Sequence, residues 1–245
     1  MLAIIGGSGL TQLSSLEIKR REVIRTPYGE PSGALTFGML CDTPVVFLAR
    51  HGYGHTIPPH QVNYRANLWA LKEAKATEVV SVASVGGIRA DFGPGVLVVP
   101  DQIIDYTWGR KSTYFEGTEE PVHHIDFTEP YDTRLRQRLL AAAAAAGQHA
   151  FDGGVYAATQ GPRLETAAEV NRMERDGADL VGMTGMPEAA LARELGLPYA
   201  ALNVVANHAA GRSSSEHSIH FDSIEAVLQD AMIRVRCVLE QLCKV

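Results

Sequence analysis

Apolar positions are grouped along this chain in two ways. Short unbroken runs alternate with longer stretches in which apolar residues recur every three or four places. The runs 2–7 (LAIIGG), 43–50 (TPVVFLAR), 78–87 (EVVSVASVGG), 95–105 (GVLVVPDQIID), 153–161 (GGVYAATQG), 178–185 (ADLVGMTG) and 199–207 (YAALNVVAN) are rich in β-branched residues. Their nearly continuous apolar character predicts strands covered on both faces. The periodic stretches predict helices over 60–76, 133–147, 164–177, 186–196 and 222–244. The first would present Val62, Ala66, Trp69 and Ala70 on one face. The alanine run of the second is a strong helix former, and Gly147 is its expected stop. Pro187 suits a first helical turn. The alternation implies an α/β fold, a three-layer sandwich around a mixed, largely parallel central sheet. No linker or repeat divides residues 1–245, so a single domain is expected. Residues 106–130 form a long excursion, of the kind that often carries function.

Composition adjusts this picture little. Of 245 residues, 46% are hydrophobic, enough for a large core. The net charge of −6 argues against nucleic acid or an anionic membrane as a partner, and an anionic ligand would need a local site. Cys41, Cys237 and Cys243 have neither metal nor redox spacing, so free thiols in a reducing cytoplasm are expected. The start "MLAIIGGSG" lacks a basic region and a long apolar run, and no run reaches membrane-spanning length.

Ligands of open α/β sheets collect at the carboxyl ends of strands, and the chemically suggestive residues lie there. "GGSGL" at 6–10 can bring backbone N–H groups and the Ser8 hydroxyl to an anion, or can be a plain tight turn. In "LARHGYGHTIPPH" (48–60), the Arg50 guanidinium fork beside His51 suits two phosphate oxygens. A metal held by His51, His55 and His60 is the weaker reading, because no carboxylate ligand is near and the spacing is not helical. Thr184 closes strand 178–185, where a hydroxyl can join helix amides around an anion. Its alternative is a routine cap, with Glu188 as a first-turn carboxylate. Glu165 is either a capping carboxylate or an acceptor for a ligand N–H. Asn207 ends an apolar strand on an amide, before the bare segment "AAGRSSS". Anion donors at one end and a carboxylate with a carboxamide at the other suit a ligand with a phosphate and a heterocycle.

These motifs, in this order, resemble the trimeric branch of the purine nucleoside phosphorylase family, and within it the methylthioadenosine phosphorylases. The matching pieces include "IIGGSGL" (4–10), "ARHGYGHTIPPHQVNYRANLWAL" (49–71), "SVGGIR" (84–89), "PGVLVVPDQIIDYT" (94–107), "HIDFTEP" (124–130), "GPRLET" (161–166) and "ADLVGMTGMPEAALARELGLPYA" (178–200). The resemblance implies reversible phosphorolysis of a purine N-glycosidic bond. Inorganic phosphate is the co-substrate, and no resident cofactor or metal is needed. It further implies phosphate contacts from Ser8, Arg50, His51, Ser84 and Thr184, with Met183 at the ribose hydroxyls. Leu164, Glu165 and Asn207 would form the base pocket, and Asn207, Glu165 and His51 the catalytic set. Ile219 and Phe221 would lie at the 5′ group together with His124 from a neighbouring subunit, which implies a homotrimer. Two positions depart from the family: Ala83, where it often has threonine or asparagine, and Leu164, where it usually has phenylalanine.

Donor and acceptor matching narrows the base. A 6-oxopurine offers N1–H to an acceptor, and its O6 and N7 accept. A carboxylate only accepts, whereas a carboxamide does both. Glu165 with Asn207 therefore fits a 6-oxopurine, and adenine N1 would face Glu165 acceptor to acceptor. The methylthioadenosine enzymes typically carry two aspartates in the segment matching 207–209 and a small hydroxyl residue near 165. This chain has Asn207, Ala209 and Glu165 there. The expectation is phosphorolysis of methylthioinosine to hypoxanthine and 5-methylthioribose 1-phosphate. General inosine and guanosine phosphorolysis is the runner-up, and the methylthioadenosine activity stands behind it. At the 5′ end, Ile219 and Phe221 favour a methylthio group, and His217 or His220 would favour a hydroxyl. A non-catalytic nucleoside-binding protein and a hydrolase are the rival classes. The segment after Asn207 is expected to be a mobile cover.

Overall fold

A computed structural model describes residues 1–117 and 121–244. Its centre is an eleven-stranded sheet in which six strand pairings are parallel and four antiparallel among the described residues. Strands β1 (Leu2–Gly6), β4 (Thr43–Ala49), β5 (Glu78–Gly87) and β11 (Tyr199–His208) run parallel side by side in the order β4-β1-β5-β11. Side chains alternate across them. Ala3 and Ile5 join one core, closed by α1 (Tyr64–Glu73) and α4 (Gly185–Glu194). Leu2 and Ile4 join the other, closed by α2 (Thr133–Ala145) and α5 (Phe221–Leu242). This is the three-layer α/β arrangement expected from strands buried on both faces.

Three strands lie outside the runs read from the sequence. β2 (Glu17–Glu22, EIKRRE) is exposed throughout, so no hydrophobic run marks it. It pairs antiparallel with β3 (Leu35–Leu40) at the sheet edge, where charge is tolerated and discourages further pairing. β8 (Ala150–Asp152) adds to the opposite flank beside β6. The run 95–105 is two strands, β6 (Leu97–Val99) and β7 (Gln102–Asp105), which join different neighbours, β11 and β9 (Val155–Ala158). Pro100, which has no N–H for a ladder, falls at the break.

The helices begin and end where local chemistry dictates. Asn63 caps α1 by accepting from the Ala66 N–H, so residues 60–63 stay outside the helix. Trp69 is only half-buried, against Tyr28 and Tyr114, and Leu68 and Leu71 point inward instead. Gly147 takes φ +68 just past α2, as a helix stop requires. α3 (Ala167–Arg175) opens on a capping box between Thr166 and Glu169. In α4 Met186 is extended, so the regular helix starts at Pro187. In α5 the buried residues are Ala231, Met232, Val235, Val238, Leu239 and Leu242, while the turns before them are mostly exposed. All three cysteines are free. Among the described residues no helix is long and apolar enough to cross a membrane.

One detail of the sheet positions the site. β1 pairs with β5 only as far as Ser81, and β10 (Leu180–Gly182) takes up the same strand at Gly86 and Gly87. Between them, β5 has β11 on one side and, among the described residues, no strand on the other. That gap opens into the main cleft.

Candidate active site

The cleft holds about 540 Å³ and lies where β1, β4, β5, β10 and β11 end or part. Ser8, Arg50, His51, Ser84 and Thr184 line one part of it. Leu164, Glu165, Met183 and Asn207 line another, and Ile219 and Phe221 its mouth. One chain thus gathers eleven of the residues singled out in the sequence. The twelfth, His124, is exposed and outside its own chain's cleft.

At the anion end, the floor is the partnerless stretch of β5, with Ala83, Ser84 and Val85 facing the cleft. Ser84 lies within that strand, not at its tip. Gly7 is required here: a Cβ would come within 2.6 Å of the Val82 carbonyl and 2.8 Å of Arg50 Nη1. Thr184 precedes α4 without a side-chain cap bond and lines the cleft. Ser8 Oγ stands 3.4 Å from His55 Nε2.

Two sequence expectations change at this end. The Arg50 fork does not face outward with two free donors. It is fully buried and clamps Glu188, Nε to Oε2 at 2.7 Å and Nη2 to Oε1 at 2.9 Å. Nη2 also donates to Ser81 Oγ at 2.6 Å, and Nη1 to the Val82 carbonyl at 3.1 Å. Four of its five N–H groups are committed, leaving one for a ligand. Burial alone would weaken the charge on Arg50, but Glu188 outweighs it and the pKa is raised. Glu188, read from sequence as a first-turn carboxylate, is itself fully buried and accepts from Tyr199 as well. The identity of this partner was missed because nothing local in "MPEA" links it to residue 50.

The second change concerns His51. Burial, with Arg50 next to it, lowers its pKa to about 4. Nδ1 lies 2.8 Å from the Ile57 carbonyl, which fixes the proton there. The ring is therefore neutral at pH 7, and Nε2 is an acceptor, suited to a ligand hydroxyl and not to a bare anion. A stability consequence follows with a defined sign. The unfolded ring protonates near pH 6.5, and the folded one near 4. Stability is full above about pH 6.5 and is lost as pH falls toward 4, by roughly 3 kcal/mol. Urea unfolding of His51→Asn between these values should show a flatter pH dependence than the unaltered protein.

At the other end, Glu165 sits just before the α3 cap. Glu169 supplies the capping carboxylate, so Glu165 does not. Its Oε1 accepts from Thr159 at 2.6 Å, and burial raises its pKa. Asn207 lies at a bulge between Val205 and Asn207 in β11 and spends one N–H on the His208 carbonyl at 2.6 Å. Met183 is set against Gly161, whose φ of +60 and lack of Cβ allow the approach. Arg110, from the 106–117 segment, was not singled out by sequence. It donates to the carbonyls of Thr159, Gln160, Met183 and Met186 at 2.6–3.1 Å, tying the base-pocket backbone together.

At the mouth, Ile224 and Leu228 join Ile219 and Phe221 to make an apolar wall. His217 and His220 do not line the cleft, and His220 lies 3.2 Å from Ser218 Oγ. The segment after Asn207 is not a loose cover. Arg212 bonds Asn171 at 2.9 Å and Glu174 at 2.8 Å, and Ser215 is buried in a short 3-10 turn.

Residues 1–244 match the family described as the Phosphorylase superfamily. A Pseudomonas syringae pv. tomato protein named probable S-methyl-5'-thioinosine phosphorylase is 55% identical over 98% of this chain and 97% of its own. A Pyrococcus furiosus 6-oxopurine nucleoside phosphorylase is 44% identical over 97% of this chain and 90% of its own. Among solved structures, methylthioadenosine phosphorylase from Schistosoma mansoni in complex with adenine superposes with a TM-score of 0.94 at 33% identity. It covers 99% of this chain and 90% of that one.

Proposed function

Since the chain belongs to the phosphorylase superfamily, we propose that it cleaves S-methyl-5′-thioinosine with inorganic phosphate, releasing hypoxanthine and 5-methylthioribose 1-phosphate. The observation that carries the choice of base is Glu165 in the cleft: its carboxylate can only accept, and the purine N1–H of hypoxanthine donates. Asn207 keeps an amide N–H for O6 or N7. Ser8, Thr184, the open β5 edge and the last Arg50 N–H would receive phosphate, and the neutral His51 would accept from a phosphate or ribose hydroxyl. Met183 would lie along the ribose. Catalysis in this reading is positioning of phosphate against C1′ and stabilisation of charge developing on the leaving base. No resident metal or cofactor takes part.

The apolar wall of Ile219, Phe221, Ile224 and Leu228 supports a methylthio group at the 5′ position over a hydroxyl. The second reading, a general inosine and guanosine phosphorylase, draws on the Pyrococcus relative and on Phe221, which is 68% exposed and leaves the mouth open. We infer that a second copy closes it. Trp108, Phe115 and Val122 are exposed apolar side chains on the segment that bears His124, a surface suited to a homotrimer in which His124 reaches a neighbour's mouth.

A substrate panel tests this. Methylthioinosine should be turned over fastest, inosine more slowly, and methylthioadenosine at least tenfold more slowly, the unpaired acceptor costing about 1–3 kcal/mol. Turnover must require phosphate. Equal rates without phosphate would indicate a hydrolase, and binding without turnover a non-catalytic protein.

A further inference from the structure

Thr159 follows β9 directly, outside the cleft lining and beneath Glu165. Its N–H donates to the Gly182 carbonyl at 2.8 Å. Its hydroxyl lies 2.6 Å from Glu165 Oε1 and 3.3 Å from the same Gly182 carbonyl. A hydroxyl has one proton to give. Gly182 is already served by the backbone N–H, so the shorter contact to the carboxylate takes that proton. We propose that Thr159 is a positioning residue for base recognition: its hydroxyl engages Oε1 of Glu165 and leaves Oε2 as a pure acceptor aimed at the base. This rests on the reading that the base is a 6-oxopurine.

The surroundings make Thr159 decisive. Glu165 is pushed toward its neutral form by burial, and the Thr159 hydrogen bond is the largest influence opposing that push. The nearby charges do little to help. Arg163, on the same segment, is clamped by Glu169 of α3 at 2.9 and 2.7 Å. Arg110 is turned to backbone carbonyls and Gln160. On β11, Asn207 is uncharged and His208 lies 2.9 Å from Ser214 Oγ. Without the Thr159 proton, Glu165 would hold its own proton to higher pH. A neutral carboxyl can donate, and adenine N1 accepts. The hydroxyl of Thr159 thus sets which purine the carboxyl can recognise.

Thr159→Val, Thr159→Ala and Thr159→Ser test the proposal in the full chain. The readout is kcat/KM for methylthioinosine and methylthioadenosine from about pH 5 to about pH 8. The valine and alanine variants should move the acid limb for methylthioinosine up by about one pH unit, a tenfold loss on that limb, with a smaller change on the plateau. The ratio of methylthioadenosine to methylthioinosine turnover should rise toward acid pH, and serine should restore the original profile. A uniform loss at every pH, or an unmoved limb, overturns the proposal. Carbon-13 NMR titration of Glu165 in ligand-free protein reads the same bond without turnover. Its carboxyl should titrate higher in Thr159→Val or Thr159→Ala, and equal values overturn the proposal. Failure of the unaltered protein to cleave any 6-oxopurine nucleoside overturns the substrate reading instead, and the titration still decides the role of Thr159.

Discussion

Glu188→Ala is expected to lower the unfolding free energy by about 3–5 kcal/mol and to abolish turnover. The reason is the isolation of Arg50. The guanidinium is wholly buried, and among the described residues Glu188 is its one anionic partner, bound at two points. Removing the carboxylate leaves a charge in a low-dielectric interior, with Ser81 and the Val82 carbonyl left to hold it. It also strips the Tyr199 hydroxyl of its acceptor. The matched change Arg50→Met with Glu188→Leu removes both charges and should recover much of the lost stability, because apolar substitutes for a buried pair are often neutral or better. Activity should not return, since Arg50 is part of the cleft lining. Urea unfolding and turnover, measured on both variants, check the two halves separately. A double variant no more stable than Glu188→Ala would show that the loss comes from packing and not from the stranded charge.

Glu165→Ala is expected to reduce kcat/KM for methylthioinosine by about 10²–10³, the scale of a lost transition-state contact, while leaving methylthioadenosine nearly unaffected. The asymmetry follows from the single N1–H that the carboxylate would accept. In the unaltered protein, turnover of the 6-oxopurine should fall with pH as Glu165 takes up its proton, above the ordinary carboxylate range because burial raises its pKa. His51, its pKa lowered to about 4 by burial and Arg50, titrates around that value. Exchanging base preference is harder than removing it. Glu165→Ser with Asn207→Asp can be accommodated at the half-buried positions. Ala209→Asp cannot be added as freely, because Ala209 is 2% exposed and packed against Gly86. The triple variant should gain relative kcat/KM for methylthioadenosine at a cost in stability. Absence of any relative gain would mean that these positions do not set the choice of base.

The strands of the inner sheet were legible because burial on both faces leaves a run of β-branched residues with few interruptions. Ser8, Arg50, His51, Thr184 and Asn207, at or beside the places where those runs stop, all line the cleft. What the sequence hid has physical causes. β2 is charged and exposed, so its strand character resides in pairing with β3 and not in its own residues. Glu188 meets Arg50 across 138 positions of sequence, and both charges are invisible to a rule that expects charge at the surface. Arg110 acts mainly on backbone carbonyls, which carry no residue signature. The state of His51 depends on a carbonyl six residues away and on burial, so its residue type alone pointed toward an anion-binding cation.

The uneven burial of α5 separates two roles within one helix. From Ala231 onward the helix is welded into the core, and at its far end the Thr43 hydroxyl bonds the Cys243 carbonyl at 2.7 Å. Those turns are expected to come apart only with the core they pack into. The turns holding Phe221 and Ile224 carry little of that cohesion, and they can fray and re-form on their own, as weakly packed helix ends do. The cooperative melting of the protein therefore carries almost no information about the mouth of its cleft. Changes in this first stretch can retune which 5′ groups are admitted without drawing on the stability of the fold.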